Sequence, residues 1–343
     1  MAQSVSRIVR LVCLGFLIPL VLSLVVYFGF ASNYTVGVFS EEGFRGQYEA
    51  GIYKYRVLGR ISLLKINELV ESSPLPALAP RAVFLLDRQA SPVFYTAYFI
   101  NNTLFLCLAC SVLVLLFDRL SPPRGVWIGD LLVLLLSLLM TITQFVVVPY
   151  DTMASFFLCL ALSLILREQR PATTILLGLV VVLGALTRET AALILAFYVA
   201  VHHRRLLARP VRWSTQHSTL SFLAACFLLT YAAMRLALGP GDAVFEDLRL
   251  AENLTSPFAL AGLIFFLAIT AVLLLSGPGR RESLLFLLAS LPYLVFILVT
   301  ARLWEMRLWI PVFLAVVVLK VWRMGEGDQQ AASPPSMKVL TRQ

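Results

Sequence analysis

The chain has 343 residues, of which 59% are hydrophobic and only 14% charged, and its mean hydropathy is +0.86. That composition excludes a water-soluble globular fold of this size, whose surface would need far more charge. It makes an all-α, polytopic integral membrane protein the expected class. The formal charge of +9 then points to anionic membrane lipids as partners rather than to nucleic acid.

A membrane span needs about 20 mostly apolar residues to cross a hydrocarbon layer of about 30 Å. Ten segments are candidates: Leu11 to Ala31, Pro92 to Phe117, Val126 to Val148, Thr152 to Leu166, Ala172 to Leu186, Ala191 to His202, Thr219 to Leu238, Phe258 to Ser276, Leu284 to Thr300 and Leu308 to Val321. The first exceeds the usual core of a cleaved signal and is expected to stay as an anchor. The fourth, fifth, sixth and last are short, which predicts tilted neighbours or partial spans. One transmembrane domain over residues 1–323 is expected, with a long outer loop at 32–91 and a disordered cytoplasmic tail at 324–343.

Short cytoplasmic loops retain Lys and Arg. With the N-terminus inside, Arg7 and Arg10, Arg119 and Arg124, Arg167 and Arg170, Arg204 to Arg212, Arg280 and Arg281, then Lys320 and Arg323 all fall on the cytoplasmic side. The same rule resolves the stretch from Ala172 to Val201, which carries Arg188 and Glu189 at its middle. A single long span would move the arginines after His203 outside, so two short spans with Arg188 and Glu189 at an outer turn are expected. That turn reads either as a tight hairpin whose charges pair at the headgroups or as part of a site, since charges near a bilayer are costly unless they pair or face water.

The long outer loop carries Phe44, Tyr48, Ile52, Tyr55, Leu58, Ile61, Ile66 and Leu69 at mostly three- and four-residue steps, with charged residues opposite. This is the pattern of amphipathic helices lying in the headgroup plane, and Gly59 is a candidate for dividing them. They serve either as a lid on the outer leaflet or, through Arg45 and Arg56, as a grip on a lipid-linked phosphate, because the planar guanidinium fork matches phosphate oxygens. Further outer connections hold Pro149-Tyr150-Asp151, Thr187-Arg188-Glu189-Thr190 and Arg302-Leu303-Trp304-Glu305-Met306-Arg307. Carboxylates and arginines on one side could supply a general base and a clamp for a departing phosphate. Asp151 also reads as a helix cap before Thr152.

Three sequons, at Asn33, Asn101 and Asn253, fall on the outer side, where chance accounts for them unless the host glycosylates. The five cysteines lie in candidate spans as packing residues. His202, His203 and His217 sit by cytoplasmic arginines. No metal-ligand spacing is present, although Asp151 with a loop carboxylate could hold a divalent ion. No nucleotide-binding loop or nucleophile elbow occurs.

This arrangement resembles the GT-C superfamily of polytopic glycosyltransferases, in which the first span leads into a long outer loop with interfacial helices and an early acidic residue. The likeness is one of topology and covers most of the chain, and the Arg188-Glu189 and Glu305-Met306-Arg307 segments are similar to short motifs of bacterial members. The resemblance implies transfer of a sugar from a polyprenyl-phosphate donor to a lipid or glycan acceptor, without a cofactor, at the outer face of a bacterial inner membrane with both termini cytoplasmic. Glu42 or Glu41 is the expected base, with Asp151 as the competing acid. Arg45, Arg56, Arg188, Glu189, Arg302, Glu305 and Arg307 are the expected donor-binding residues. The family's early acid is usually Asp, whereas this loop offers Glu41, Glu42 and Glu49 before its first Asp, Asp87. A lipid-linked saccharide polymerase or ligase and a transporter or flippase are the alternatives. Transporters usually show two matching halves with ionisable groups near the midplane.

Overall fold

The computed structural model describes residues 2–29, 40–49, 51–74, 91–120, 126–145, 147–167, 170–208, 213–239 and 248–332. Among them every regular element is a helix. Helix α1 (Ala2–Val12) continues through a turn of π-helix (Cys13–Leu17) into α2 (Ile18–Gly29). The outer loop contributes α3 (Glu41–Glu49) and α4 (Val57–Glu71), and then come α5 (Pro92–Leu120), α6 (Val126–Ile142), α7 (Asp151–Ile165), α8 (Pro171–Thr187) and α9 (Ala192–Leu206). The last third holds α10 (Thr215–Leu238), α11 (Leu250–Thr255), α12 (Pro257–Leu275), α13 (Arg280–Ala289), α14 (Leu291–Thr300) and α15 (Ile310–Ala332).

Within the described residues each of the ten apolar segments is helical over most of its length. Four are long and apolar enough to cross a membrane: the rod from Val5 to Gly29, α5, α10 and α12, or five if α13 and α14, which meet at 54°, form one broken span. The break falls just before Pro292, whose ring and missing N–H interrupt a helix. Helices α6, α7 and α8 are apolar but have only 15 to 17 residues.

The core sits where these short helices meet α5 and α15. From Trp309 to Leu319 every described side chain of the last segment is buried, so this run is apolar on all faces because all of its faces are packed. Helices α10 and α12 do the opposite. Leu228, Leu229 and Leu236 on α10 and Phe258, Ile264 and Val272 on α12 are among the exposed apolar side chains, Leu236 at 85%. Such contiguous apolar surface is not tolerated in water, and the chain is a membrane protein in character. Helix α15 runs on past Met324, where the composition turns polar, and residues 333–343 lie outside the described ones.

Ionic groups gather at opposite ends of the bundle. At one end Arg10 joins Asp118 of α5 at 2.5 Å and Asp130 of α6 at 2.6 Å, while Arg119 donates to the Ser163 carbonyl at the end of α7. At the same end of the chain's alternation, Arg323 pairs with Glu282. These are the ends that the arginine pattern assigns to the cytoplasm. At the other end lie the junctions after α2 and before α5 and α7, where Tyr95 donates to the Tyr27 carbonyl at 2.6 Å and Asn101 donates to the Pro149 carbonyl at 3.0 Å.

Phe44, Tyr48 and Tyr55 are buried as the apolar pattern of the outer loop expects, and among the described residues the departure from that pattern is confined to α4. The chain divides at a 3₁₀ turn over Gly51–Tyr55 rather than at Gly59. In α4 the buried face is Gly59, Leu63, Asn67 and Val70, whereas Ile61 and Leu69 are exposed. Gly59 is the reason, because a Cβ there would meet Tyr150 Cβ at 3.0 Å. The helix lays its smallest residue against the turn that precedes α7.

Candidate active site

Three chain segments build the site, and each is a junction between helices. The first is Pro149-Tyr150-Asp151. Tyr150 takes the N-cap position of α7 and Asp151 lies in the first turn, where the helix dipole favours a carboxylate. Asp151 does not cap. It is 8% exposed, and its two oxygens face arginines: Oδ1 accepts from Arg188, and Oδ2 lies 3.4 Å from Arg307 Nη1.

Arg188 belongs to the second segment. Its backbone is extended, between the end of α8 and a 3₁₀ turn over Glu189–Ala191. Two helices meeting at an ionic break are thus present where the arginine pattern requires a turn. Gly184 and Ala191 lie side by side across it, with 3.1 Å between Ala191 Cβ and the position a Gly184 Cβ would take. The third segment contains Glu305 and Arg307, paired through Arg307 Nε and Nη2 to Glu305 Oε2 at 2.9 and 2.8 Å.

The outer helices supply the fourth wall. Arg56 is 7% exposed; its guanidinium sits 4.2 Å from the centroid of the Tyr150 ring and 5.2 Å from that of Tyr53, with Glu189 at 3.4 Å. Burial pushes the Tyr150 phenol up to about 12, against the pull of Arg56. It therefore stays protonated at neutral pH, and its hydroxyl has no hydrogen-bond partner among the described residues. Glu189 is held below the ordinary glutamate range: burial opposes its charge most, but Arg56, a backbone hydrogen bond, Arg188 and Arg235 together outweigh it.

Between these walls lies a cavity of about 230 Å³. Five of its lining residues are arginines, Arg56, Arg188, Arg249, Arg302 and Arg307, against two carboxylates, Glu189 and Glu305. Tyr293 and Phe296 of α14 close the apolar side, and Tyr293 donates to the Leu308 carbonyl at 2.9 Å. The chemistry suits an anion attached to an apolar body. Arginines neutralise and orient it, while aromatic side chains cover the rest.

The structure thus brings together six of the donor-binding candidates, Arg56, Arg188, Glu189, Arg302, Glu305 and Arg307, with Asp151 behind them. It leaves three candidates elsewhere. Arg45 is exposed and pairs with Glu41 one helical turn earlier at 2.6 Å. Glu41 also accepts from Asn67 at 3.2 Å. Glu42 is exposed on α3, and none of these three lines the cavity. Asp87 lies outside the described residues.

Two of the sequons have a structural role instead. Asn101 and Asn102 are fully buried, as is Asn253. The amide nitrogen of Asn102 faces Tyr27 Oη at 2.6 Å, Gln144 Oε1 at 3.1 Å and the Val148 carbonyl at 3.0 Å. With Asn101 on Pro149, these bonds fix the backbone that carries Asp151. Asn253 donates to the Leu298 and Ala301 carbonyls at 2.8 and 2.6 Å. It thereby holds the turn that leads to Glu305. Gly262 packs under that turn as Gly59 does under the first, since a Cβ there would lie 2.4 Å from the Leu303 carbonyl oxygen. Asn33 lies outside the described residues.

Among the described residues no group of three His, Cys, Asp or Glu side chains is placed to hold a metal ion. Comparison with protein-family models, curated proteins and solved structures gave no match.

Proposed function

We propose that this protein is a glycosyltransferase that moves a sugar from a polyprenyl-phosphate donor to a lipid or glycan acceptor. It acts at the non-cytoplasmic face of a bacterial inner membrane, with about ten spans and cytoplasmic termini. The observation that carries this reading is the cavity of five arginines bordering a carboxylate, Asp151, that two of those arginines hold. Transfer from a phosphate-linked sugar needs both parts: cations for the charge that develops on the leaving phosphate, and a base for the acceptor's proton. Arg56, Arg188 and Arg307 take the phosphate, with Arg302 and Arg249 at the far wall. Asp151 is the base.

The pairs seen here are compatible with that exchange. An incoming phosphate competes for Arg188 and Arg307, and the more fully it takes them, the more Asp151 is released to accept a proton. The purified protein in nanodiscs, given a panel of polyprenyl-phosphate sugars and glycerol as acceptor, is expected to release polyprenyl phosphate and form a glycoside. Sugar movement into liposomes without bond cleavage would instead identify a transporter.

A further inference from the structure

A second hollow meets the first at the same two arginines. It is a cleft of about 10 Å³, lined by Asp151, Arg188 and Arg307 together with Thr143, Gln144 and Ala154. That is space for about one water-sized group. Of these two hollows, the small cleft alone is lined by Gln144 and Asp151.

Gln144 marks what the cleft takes. It is 3% exposed, and its one hydrogen bond among the described residues is accepted by Oε1 from Asn102. The orientation is fixed by the network: Asn102 Oδ1 accepts from Asn101 at 3.0 Å and from Thr152 at 3.4 Å, so its nitrogen must face the Gln144 oxygen. The Gln144 amide nitrogen, with two N–H donors, has no partner among the described residues, and it shares the cleft with the Asp151 carboxylate as well as Arg188, Arg307, Thr143, Thr152 and Ser155. A donor and an acceptor lining one small space, with room for one oxygen, match a hydroxyl group, which can accept from the amide and donate to the carboxylate.

We infer that this cleft is the acceptor site, binding the attacking hydroxyl between Gln144 and Asp151 while the arginine cavity holds the donor phosphate. The inference rests on the transferase reading. In the step it describes, the hydroxyl oxygen bonds to the anomeric carbon as the bond from that carbon to the phosphate oxygen breaks. The hydroxyl proton passes to Asp151, and the electron pair of the broken bond leaves with the phosphate. Water can occupy the same cleft, and the product tells the two apart: a glycoside from an organic hydroxyl, free sugar from water.

The test compares Ala154→Leu, which fills the cleft, and Gln144→Met, which keeps the length and neutrality of the side chain but removes the donors. Nanodiscs with polyprenyl-phosphate sugar and glycerol provide glycoside formation, hydrolysis and donor affinity together. Either variant is expected to lower glycoside formation about tenfold or more with donor affinity unchanged within about twofold, as loss of one oriented hydrogen bond implies. If Ala154→Leu does not fold, Gln144→Met carries the test. Full glycoside formation by a folded variant overturns the acceptor site alone, whereas a wild-type protein that transfers no sugar overturns the transferase reading and this inference with it.

Discussion

Arg188→Ala is expected to lose donor binding and much of the protein's stability at once. Arg188 and Asp151 are 6% and 8% exposed, so the substitution strands a buried carboxylate with only the longer contact to Arg307, at 3.4 Å. Breaking a buried ion pair from one side costs about 3–5 kcal/mol, seen as a lowered thermal unfolding temperature in detergent. Arg188→Lys separates the two consequences. It keeps the charge next to Asp151 but loses the planar fork, so it should recover most of the stability while donor affinity stays down by about tenfold or more. A folded Arg188→Lys protein with full donor affinity would leave the segment as a structural hairpin.

Asp151→Asn is expected to retain donor affinity and lose turnover by about 10²–10⁴-fold, the contribution of a positioned general base. The amide is isosteric and keeps an oxygen for Arg188, so the turn should persist, at lower stability because the buried pair with Arg188 and Arg307 is broken. Glu42→Gln is the paired control, because the loop acid and Asp151 are the two candidates that the sequence leaves open. Glu42 is exposed on α3 and outside the cavity lining, so this variant should keep turnover within about twofold. Loss of turnover in Glu42→Gln with normal Asp151→Asn would move the base to the outer loop. Turnover and donor binding measured on both proteins decide between them.

Helical segments were legible because their signal is local. Apolar runs bounded by charges coincide with helices from Pro92 to Leu120 and from Pro257 to Leu275, and the arginine alternation placed a break at Arg188. What the sequence could not carry was contact between distant segments. Asp151 and Arg307 are 156 positions apart, and no spacing announces that they meet. The amphipathic pattern of the outer loop was read from hydrophobicity, which favoured Ile61 and Leu69; the packed face instead follows Gly59 and Asn67, chosen by close approach and hydrogen bonding. Asn101 and Asn253 match a sequon triplet that chance accounts for, and their structural role is invisible in it because the carbonyls they satisfy lie 45 to 48 positions away. Gln144 and Tyr293 gave no signal at all, since a lone polar residue in an apolar run acquires meaning only from its neighbours in space.

The most direct test is a single cysteine at Thr300, which lines the arginine cavity, in a protein whose five native cysteines are replaced. A membrane-impermeant maleimide should label Thr300→Cys from the non-cytoplasmic side, and added polyprenyl-phosphate sugar should protect it. Labelling only from the cytoplasmic side, or labelling that the donor leaves unchanged, would contradict an outward-facing cavity that binds a lipid-linked phosphate.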